Sequence, residues 1–359
     1  MRIGIISMQR LINFGSWLQA YGLKSLLEEQ GHEVEFIDVK LTDGTVMNAN
    51  KTTDNAGCFK HIARRFIRGK IYCYQLERQK RFTNDYFGVL GLSEKPNFNT
   101  NYDAVVIGSD EVFSYCQFTQ WGGTILFFGQ GVEAKKIISY AASFGYTTVQ
   151  DLEEIHMADK IGQYLMNFSA ISVRDHHSYE VVKCLCGVEA YQHLDPVLMY
   201  DFNPDVPEIH DKDYILIYGY DNRLVEAEYV QSIKAFAKKY RKKLYAVGFF
   251  QDWCDKQILA SPLEVLAWVK NADYVVCETF HGTVFSIKYQ KQFATIVRDS
   301  NRNKLGDLLN RFSLADRMFD GKVSLEGILT KEYDRKAAQQ IIEFERKRTK
   351  EYLHDALMN

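Results

Sequence analysis

Three polar side chains lie within four residues after short apolar runs, and their types suit acid–base chemistry. Asp110 follows VVIG and Ser109. Arg174 follows AISV, and His281 is the fourth residue after YVVC. A carboxylate accepts a proton, an imidazole exchanges one near neutral pH, and a guanidinium matches a carboxylate or phosphate bidentately. The residue types therefore predict proton transfer on a substrate that carries negative charge.

Each of these residues also has a structural interpretation, which the sequence leaves open. Asp110 suits the cap of a following helix, and a single histidine such as His281 is often part of a core. Arg174 can form a salt bridge with its neighbour Asp175 or one between the two domains. The position of all three after strand-like runs favours the functional interpretation, because ligands of open α/β sheets bind at the carboxyl ends of strands.

The segment that begins at His281 is rich in small polar residues. Gly282 and Thr283 follow at the predicted start of a helix, whose N–H groups are suited to phosphate. Arg298 and Arg302 come after the next apolar run and predict positive charge for the same pocket, with solvated arginines as the alternative. The segment therefore predicts an anion site.

A second candidate helix start lies near the amino terminus. Asn13, Gly15 and Ser16 follow the first strand-like run and suit an anion or a sugar hydroxyl. A plain capped turn is the alternative. The G-x-G-x-x-G fingerprint of dinucleotide binding is absent here, so no nucleotide cofactor is predicted.

These residues must be positioned by the elements between them, and apolar runs alternate with amphipathic segments along the chain. Runs such as VVI and YVV suit strands that are covered on both faces, as in parallel sheets. The predicted strands cover 2–7, 33–38, 103–108, 136–141, 170–174, 214–218, 243–247, 273–277 and 293–297. The pattern predicts an α/β fold of two Rossmann-like, doubly wound domains, with a ligand cleft at the carboxyl ends of both sheets.

The predicted domain boundary lies in the acidic, proline-rich stretch around 204. We expect an N-terminal Rossmann-like domain over 1–203, a C-terminal one over 204–330 and a long terminal helix over 331–359. Ser261 to Glu264 has the pattern of a capping box with proline in the first turn, which predicts a helix start.

Composition excludes several classes of protein. The 359 residues carry 44 basic and 46 acidic side chains, so a general nucleic-acid binder is not expected. The seven cysteines are scattered and include no C-x-x-C pair, which argues against a disulfide framework or a zinc site. Neither a metal nor a redox cofactor is predicted, and a cytoplasmic protein is expected.

A basic amphipathic segment covers 59–82, which we expect as an insertion in the N-terminal domain. It holds eight Lys or Arg and one acidic residue, interleaved with aromatic and apolar side chains. Two interpretations stay open: a helix with one buried face and one solvated basic face, or peripheral contact with the inner face of a membrane.

Five blocks in a fixed order resemble the polysaccharide pyruvyltransferase family over roughly residues 1 to 320. They are 12–38, 102–113, 170–175 with 193–199, 261–289 and 301–314. The resemblance implies a GT-B-like fold of two domains. It also implies transfer of a pyruvyl group from phosphoenolpyruvate to a nucleotide-linked or lipid-linked sugar of a cell-surface polysaccharide precursor, with ketal formation and release of phosphate.

Carried onto this sequence, the resemblance implies catalytic roles for Asp110 and His281, with the assignment of acid and base left open. It implies donor binding by Arg174, joined by Ser109, Gly282, Thr283 and Arg302, and acceptor binding by Asn13, Gly15 and Ser16. Many relatives have Gln-Val-Trp where this chain has 111–113, and several have an Arg where this chain has 279–280. Arg298 or Arg302 is the candidate substitute for that cation.

Two other functions stay open at this point. One is a nucleotide-sugar glycosyltransferase with the same two-domain fold. The other is a noncatalytic scaffold that binds a glycan or an anion. Dependence of turnover on phosphoenolpyruvate would separate both from the pyruvyltransferase.

Overall fold

The structure is a computed structural model that describes residues 1–40, 62–118, 124–221, 223–298 and 301–358. The chain divides into two compact units. Unit 1 comprises Met1–Asn48, Phe87–Asp201 and Gln340–Asn359, and unit 2 comprises Ala49–Tyr86 and Phe202–Gln339. The chain therefore passes from unit 1 to unit 2 close to the predicted boundary at 203–204.

Strands and helices alternate in both units. The strands are β1 (Arg2–Ile6), β2 (Glu33–Phe36), β3 (Ala104–Asp110), β4 (Lys136–Ala142), β5 (Ser172–Val173), β6 (Tyr191–Gln192), β7 (Tyr214–Tyr218), β8 (Lys243–Val247), β9 (Lys256–Ile258), β10 (Tyr274–Cys277), β11 (Gln292–Ile296) and β12 (Met318–Phe319). The α-helices are α1 (Phe14–Glu28), α2 (Ile62–Arg81), α3 (Phe87–Val89), α4 (Tyr115–Phe118), α5 (Val149–Glu154), α6 (Ala158–Leu165), α7 (His176–Cys186), α8 (Pro196–Met199), α9 (Ala227–Lys239), α10 (Pro262–Asn271), α11 (Phe280–Lys288), α12 (Arg302–Arg311), α13 (Leu325–Thr330) and α14 (Arg335–Met358).

Unit 1 contains a parallel sheet in the order β2-β1-β3-β4-β5-β6. Every residue of β3 is buried, which explains its unbroken apolar run. Successive strands are added to the sheet in one direction up to β2 and in the other direction from β3 onward, so the reversal point of the strand order lies between β1 and β3. The loops that follow these two strands therefore flank the crevice where a doubly wound sheet binds its ligand.

Unit 2 contains a second parallel sheet in the order β12-β11-β10-β7-β8-β9. Read from β9, this is the 3-2-1-4-5-6 order of a Rossmann domain, and the direction reverses between β7 and β10. The two parallel sheets with flanking helices confirm the predicted fold class of two Rossmann-like domains. The long terminal helix is present as α14.

The basic segment belongs to unit 2, whereas the prediction placed it in the N-terminal domain. The Tyr74 hydroxyl donates to the Ile258 carbonyl at 2.8 Å, and Arg78 pairs with Asp221 at 2.7 Å. The physical reason is that polar groups on one face of α2 find their partners after β7 and in β9. Arg78 is thus used inside unit 2, although the sequence pattern alone assigns it to a solvated basic face.

The terminal helix α14 is not a segment on its own, because its residues from Gln340 onward belong to unit 1. The hydroxyls of Thr349 and Tyr140 lie 3.0 Å apart, and the Tyr352 hydroxyl donates to the Ser139 carbonyl at 2.7 Å. These bonds attach α14 to β4. Among the described helices, none is long and apolar enough to cross a membrane.

Local signals were informative at helix starts and less so in short strands. The predicted capping box at Ser261 and Glu264 is present, with both reciprocal hydrogen bonds. The two-residue strands β6 and β12 and the three-residue strand β9 were not predicted. Such short strands carry too little periodicity to be distinguished from loop.

Candidate active site

Asp110 ends β3 at the reversal point of unit 1 and has an unusual backbone conformation. Its φ angle is +84°, a left-handed value that costs a non-glycine residue about 1–3 kcal/mol. Its Oδ1 accepts from the backbone N–H of Glu111 at 3.0 Å, and its Oδ2 accepts from the Ser16 hydroxyl at 2.7 Å. A strained, buried carboxylate held by two donors is a candidate for function rather than for packing.

The backbone just before Asp110 requires glycine. Gly108 has a φ of +128°, and a Cβ placed on it would lie 2.2 Å from the Tyr140 carbonyl oxygen in β4. Ser109 is fully buried, and its hydroxyl donates to the Ala141 carbonyl at 3.1 Å. The predicted role of Ser109 in donor binding therefore conflicts with its contacts, which attach β3 to β4.

The start of α1 places its polar residues beside Asp110. Asn13 caps the helix, with its Oδ1 accepting from Gly15 N at 2.8 Å and Ser16 N at 3.3 Å. The N–H groups of Gly15 and Ser16, which were expected to bind an anion, therefore donate to the Asn13 side chain, as the capped-turn alternative predicts. Ser16 directs its hydroxyl at Asp110, so the predicted acceptor residues and the predicted catalytic carboxylate do meet in unit 1.

Arg174 follows β5 and is almost fully buried between two carboxylates. Its Nη1 lies 3.0 Å from Asp195 Oδ2 and 3.6 Å from Asp110 Oδ1. Burial alone would lower the pKa of Arg174, but the charges of Asp110 and Asp195 raise it above its usual range. The guanidinium therefore stays charged and is held where it can stabilise the Asp110 carboxylate.

Arg174 pairs with Asp195 and not with its sequence neighbour Asp175. Asp175 instead caps α7, accepting from Ser178 N at 2.8 Å and from the Ser143 hydroxyl at 2.6 Å. Sequence reasoning did not identify Asp195 as the partner of Arg174. Its position before Pro196 signals a helix cap, which it provides, but nothing local indicates that its other oxygen meets Arg174.

In unit 2, Glu278 occupies the reversal point between β7 and β10. It is 4% exposed, and its Oε1 accepts from Tyr220 N at 3.0 Å while its Oε2 lies 3.2 Å from Arg298. Burial raises the pKa of Glu278, and the charges of Arg223 and Arg298 oppose that effect. Sequence reasoning did not select Glu278, although its position directly after YVVC was a usable signal.

His281 lies in the first turn of α11 and is half-buried, with rings of Phe280 and Phe285 near it. Thr279 caps this helix by accepting from Gly282 N at 2.9 Å. Residues 279–280 form the capped start of α11 in this chain. This is the stretch where the resemblance implies an arginine in several relatives.

Gly282 and Thr283 are packed into unit 2. A Cβ on Gly282 would lie 2.7 Å from the Cys277 side chain and 2.9 Å from Tyr218. The buried Thr283 hydroxyl donates to the Thr279 carbonyl at 3.1 Å. Both residues allow α11 to approach the sheet closely, and these contacts account for their residue types without a ligand.

The two candidate cations of unit 2 differ in their surroundings. Arg298 is held by Glu226 at 2.8 Å and by Glu278 at 3.2 Å. Arg302 begins α12 and is exposed. Asp110, Arg174 and Ser16 therefore meet in unit 1, whereas His281, Gly282, Thr283 and Arg302 belong to unit 2. Within the described ranges, no group of three or more His, Cys, Asp or Glu side chains is placed to hold a metal ion.

The family is decided by a comparison with known protein families. A family model described as polysaccharide pyruvyl transferase matches residues 13–300. The chain belongs to this family. The match confirms the resemblance predicted from the sequence blocks and includes Asp110, Arg174 and His281. Membership makes the chain a transferase of polysaccharide biosynthesis. Arg302 and the whole of α14 lie beyond the matched range.

Solved structures resemble this pyruvyl transferase family member in fold. The S. aureus MnaA–UDP co-structure is 9% identical, with 98% of this chain and 95% of that chain covered and a TM-score of 0.50. The glycosyltransferase SnogD from Streptomyces nogalater is 12% identical, with 99% of each chain covered and a TM-score of 0.48. No curated protein sequence matches the chain. The first of these likenesses supports the GT-B-like fold class and, at such identity, nothing finer.

Proposed function

We propose that this transferase moves a pyruvyl group from phosphoenolpyruvate to two hydroxyls of a sugar in a polysaccharide precursor. The observation that carries the proposal is the Asp110 carboxylate, held at the end of β3 by Ser16 and Arg174 within a chain of the pyruvyl transferase family. A carboxylate in this setting suits removal of a proton from a hydroxyl group.

The proposed reaction removes two protons from the sugar hydroxyls and delivers one to the donor methylene and one to the departing phosphate. The donor methylene gains a proton and becomes a methyl group, which leaves an oxocarbenium-like carbon. One sugar hydroxyl adds to this carbon, the carbon–oxygen bond to phosphate breaks, and a second hydroxyl closes the ketal. The first hydroxyl proton balances the one delivered to the methylene, and the second leaves with inorganic phosphate.

Asp110 is our candidate for the base that accepts the acceptor proton. Arg174 holds this carboxylate in place, because its Nη1 also bonds Asp195 and cannot move away without leaving a second buried charge unpaired. Direct contact between Arg174 and the donor remains a prediction. The Ser16 hydroxyl, 2.7 Å from Asp110, is the proposed link to the acceptor.

His281 is our candidate for phosphate binding and proton delivery. It lies in the first turn of the nine-residue helix α11, where the positive end of the helix dipole favours an anion. The opposite assignment, with His281 as base and Asp110 as acid, uses the same residues. Arg302, exposed at the start of α12, is the proposed additional cation for the donor.

The test is incubation of the full chain with phosphoenolpyruvate and nucleotide-linked or lipid-linked sugars. We expect release of inorganic phosphate together with a product that is heavier by one pyruvyl group in mass spectrometry. Hydrolysis of a nucleotide-sugar without dependence on phosphoenolpyruvate would instead support a glycosyltransferase. Binding without any product would support a noncatalytic scaffold.

A nucleotide-linked acceptor is the first class to assay. Nucleotide-linked sugars are soluble, so their binding can be measured without vesicles. Protection of the chain against heat by UDP, measured beside GDP and inorganic phosphate, would rank the acceptors before any turnover assay.

A lipid-linked acceptor would bring the basic helix α2 into use. Arg78 faces inward to Asp221, while Lys70 and Lys80 are exposed. We propose that these exposed lysines contact anionic headgroups. Lys70→Glu with Lys80→Glu should lower binding to anionic vesicles, with Lys95→Glu in unit 1 as the matched control. Equal binding of all three proteins would remove membrane contact from the proposal.

A further inference from the structure

Unit 1 carries a cavity at the edge of its sheet opposite Asp110. It has a volume of about 520 Å³ and lies between the amino ends of β4, β5 and β6 and the last turns of α14. Its polar and aromatic lining includes Lys136, Tyr191, His193, Arg348, Glu351 and Asp355. At about 3.3 Å per residue, the seven residues of β4 separate this cavity from the Asp110 edge by roughly 20 Å.

The cavity contains an aromatic platform that is exposed and yet held in place. Tyr191 is 55% exposed, whereas Tyr352 and His193 behind it are 7% and 1% exposed. The Tyr191 ring centroid lies 5.0 Å from that of Tyr352 and 6.2 Å from that of His193. A tyrosine ring presents an apolar face and a polar tip, so a ring ordered in this way offers a stacking surface at little entropic cost.

The wall behind the platform is tied to the sheet by hydrogen bonds. The Tyr352 hydroxyl donates to the Ser139 carbonyl at 2.7 Å, and the Ser172 hydroxyl lies 2.9 Å from His193 Nδ1. Lys136 Nζ donates to the Leu357 carbonyl near the end of α14 at 2.9 Å. Strands β4 and β6 and helix α14 therefore supply most of the cavity lining, and Ser169 and His193 come from the segments beside the strands.

The charges around the cavity balance. Lys136 and Arg348 contribute two positive charges, and Glu351 and Asp355 contribute two negative charges, so the formal sum of the lining is zero. Arg348 is also paired with Glu345 at 2.7 Å, so the surroundings carry no net positive charge. A phosphate-bearing ligand would meet the two carboxylates at the same time as the two cations. A neutral molecule with many hydroxyl groups can instead donate to the carboxylates and accept from the cations.

We propose that this cavity is a glycan-binding site for a neutral stretch of polysaccharide, with one sugar ring stacked on Tyr191. The apolar C–H face of a pyranose matches the ring, and its hydroxyls match the mixed charges. The α14 wall of the cavity lies outside residues 13–300, so the family match does not account for it. The site uses neither Asp110 nor His281 and is independent of pyruvyl transfer.

The test uses saturation-transfer NMR titrations of the full chain, without phosphoenolpyruvate. The probes are neutral linear tetrasaccharides of glucose, galactose, mannose and N-acetylglucosamine, and UDP serves as an anionic comparison. We expect at least one tetrasaccharide to bind, and Tyr191→Ala to weaken that binding by about tenfold. Tyr191→Phe should retain most of the binding, because it keeps the ring.

The controls separate a local loss from a loss of fold. Glu351→Ala changes an exposed lining residue and should also weaken binding, whereas Tyr72→Ala, an exposed tyrosine of unit 2, should leave it unchanged. Thermal unfolding of each variant should stay at the wild-type midpoint. The proposal fails if no neutral tetrasaccharide binds, if Tyr191→Ala and Glu351→Ala bind as the wild type does, or if UDP depends on Tyr191 more strongly than any neutral probe.

Discussion

Arg174 Nη1 lies 3.0 Å from an oxygen of Asp195 and 3.6 Å from an oxygen of Asp110, so one nitrogen joins two buried carboxylates. The shorter contact is to Asp195, which also caps α8. Asp195 therefore anchors the guanidinium, and the guanidinium in turn orients Asp110. The proposed base depends on a residue that is far from it in sequence and does not itself need to touch substrate.

Arg174→Ala should strongly destabilise unit 1. The substitution leaves two buried carboxylates without their shared cation, which typically costs about 3–5 kcal/mol. Urea unfolding monitored by fluorescence measures the change. Lys135→Ala, which breaks an exposed ion pair with Asp103, is the control and should have little effect. A loss below about 1 kcal/mol for Arg174→Ala would show that the triad is not a stabilising unit.

Asp110→Asn should lower turnover by at least about 100-fold if Asp110 transfers a proton. The amide keeps the size of the side chain and its acceptor for the Ser16 hydroxyl, so the fold should persist. Phosphate release in the presence of donor and acceptor is the measurement. Asp103→Asn, at a partly exposed carboxylate just before β3, should leave turnover unchanged. Wild-type turnover in Asp110→Asn would exclude it as acid or base.

The positions of the candidate residues were predictable, but their partners were not. Asp110, Arg174 and His281 follow apolar runs, and strand periodicity placed each of them near the end of a strand or the start of the next helix. The pairing of Arg174 with Asp195 joins residues 21 apart through tertiary packing. No local propensity encodes such a contact.

Orientation explains the other differences between prediction and structure. Ser109 was expected to face the ligand, but its hydroxyl bonds β4. Thr283 lies four residues after Thr279, and its hydroxyl bonds back to that carbonyl, as helix geometry allows. Arg78 faces inward on α2 because it donates to Asp221, which is 143 residues away in sequence. Composition alone could not reveal that partner.

His281→Gln should lower the rate of phosphate release by about 100-fold if His281 delivers a proton. Glutamine retains a hydrogen-bond donor near the start of α11, so donor binding should change less than the rate. Initial rates across a range of phosphoenolpyruvate concentrations separate the two effects. His210→Gln, an exposed histidine of the same unit, is the control. A rate equal to that of the wild type would remove His281 from the chemistry.

Glu278→Gln should become relatively more stable as pH rises. Burial raises the pKa of Glu278 in the folded state, so between its unfolded pKa of about 4.3 and its folded pKa the folded state binds more protons. The Glu278 contribution to the free energy of unfolding therefore falls as pH rises through that window. In urea unfolding from pH 4 to pH 7, the free energy of unfolding of the variant should rise relative to that of the wild type. Glu94→Gln, at an exposed carboxylate, is the control. A difference that does not change with pH would contradict this account.

Cys277 should resist alkylation while unit 2 is folded. Burial raises the pKa of its thiol to about 11, and its Sγ lies 3.5 Å from the Thr295 hydroxyl and 3.6 Å from the Thr283 hydroxyl. The thiolate is the reactive form, so little of it is present at pH 8. Iodoacetamide should label the exposed Cys73 and Cys184 first, as read by peptide mass spectrometry. Cys277 should be labelled only when urea unfolds unit 2, and labelling of all three at one rate in native buffer would contradict the close packing of α11 on β10.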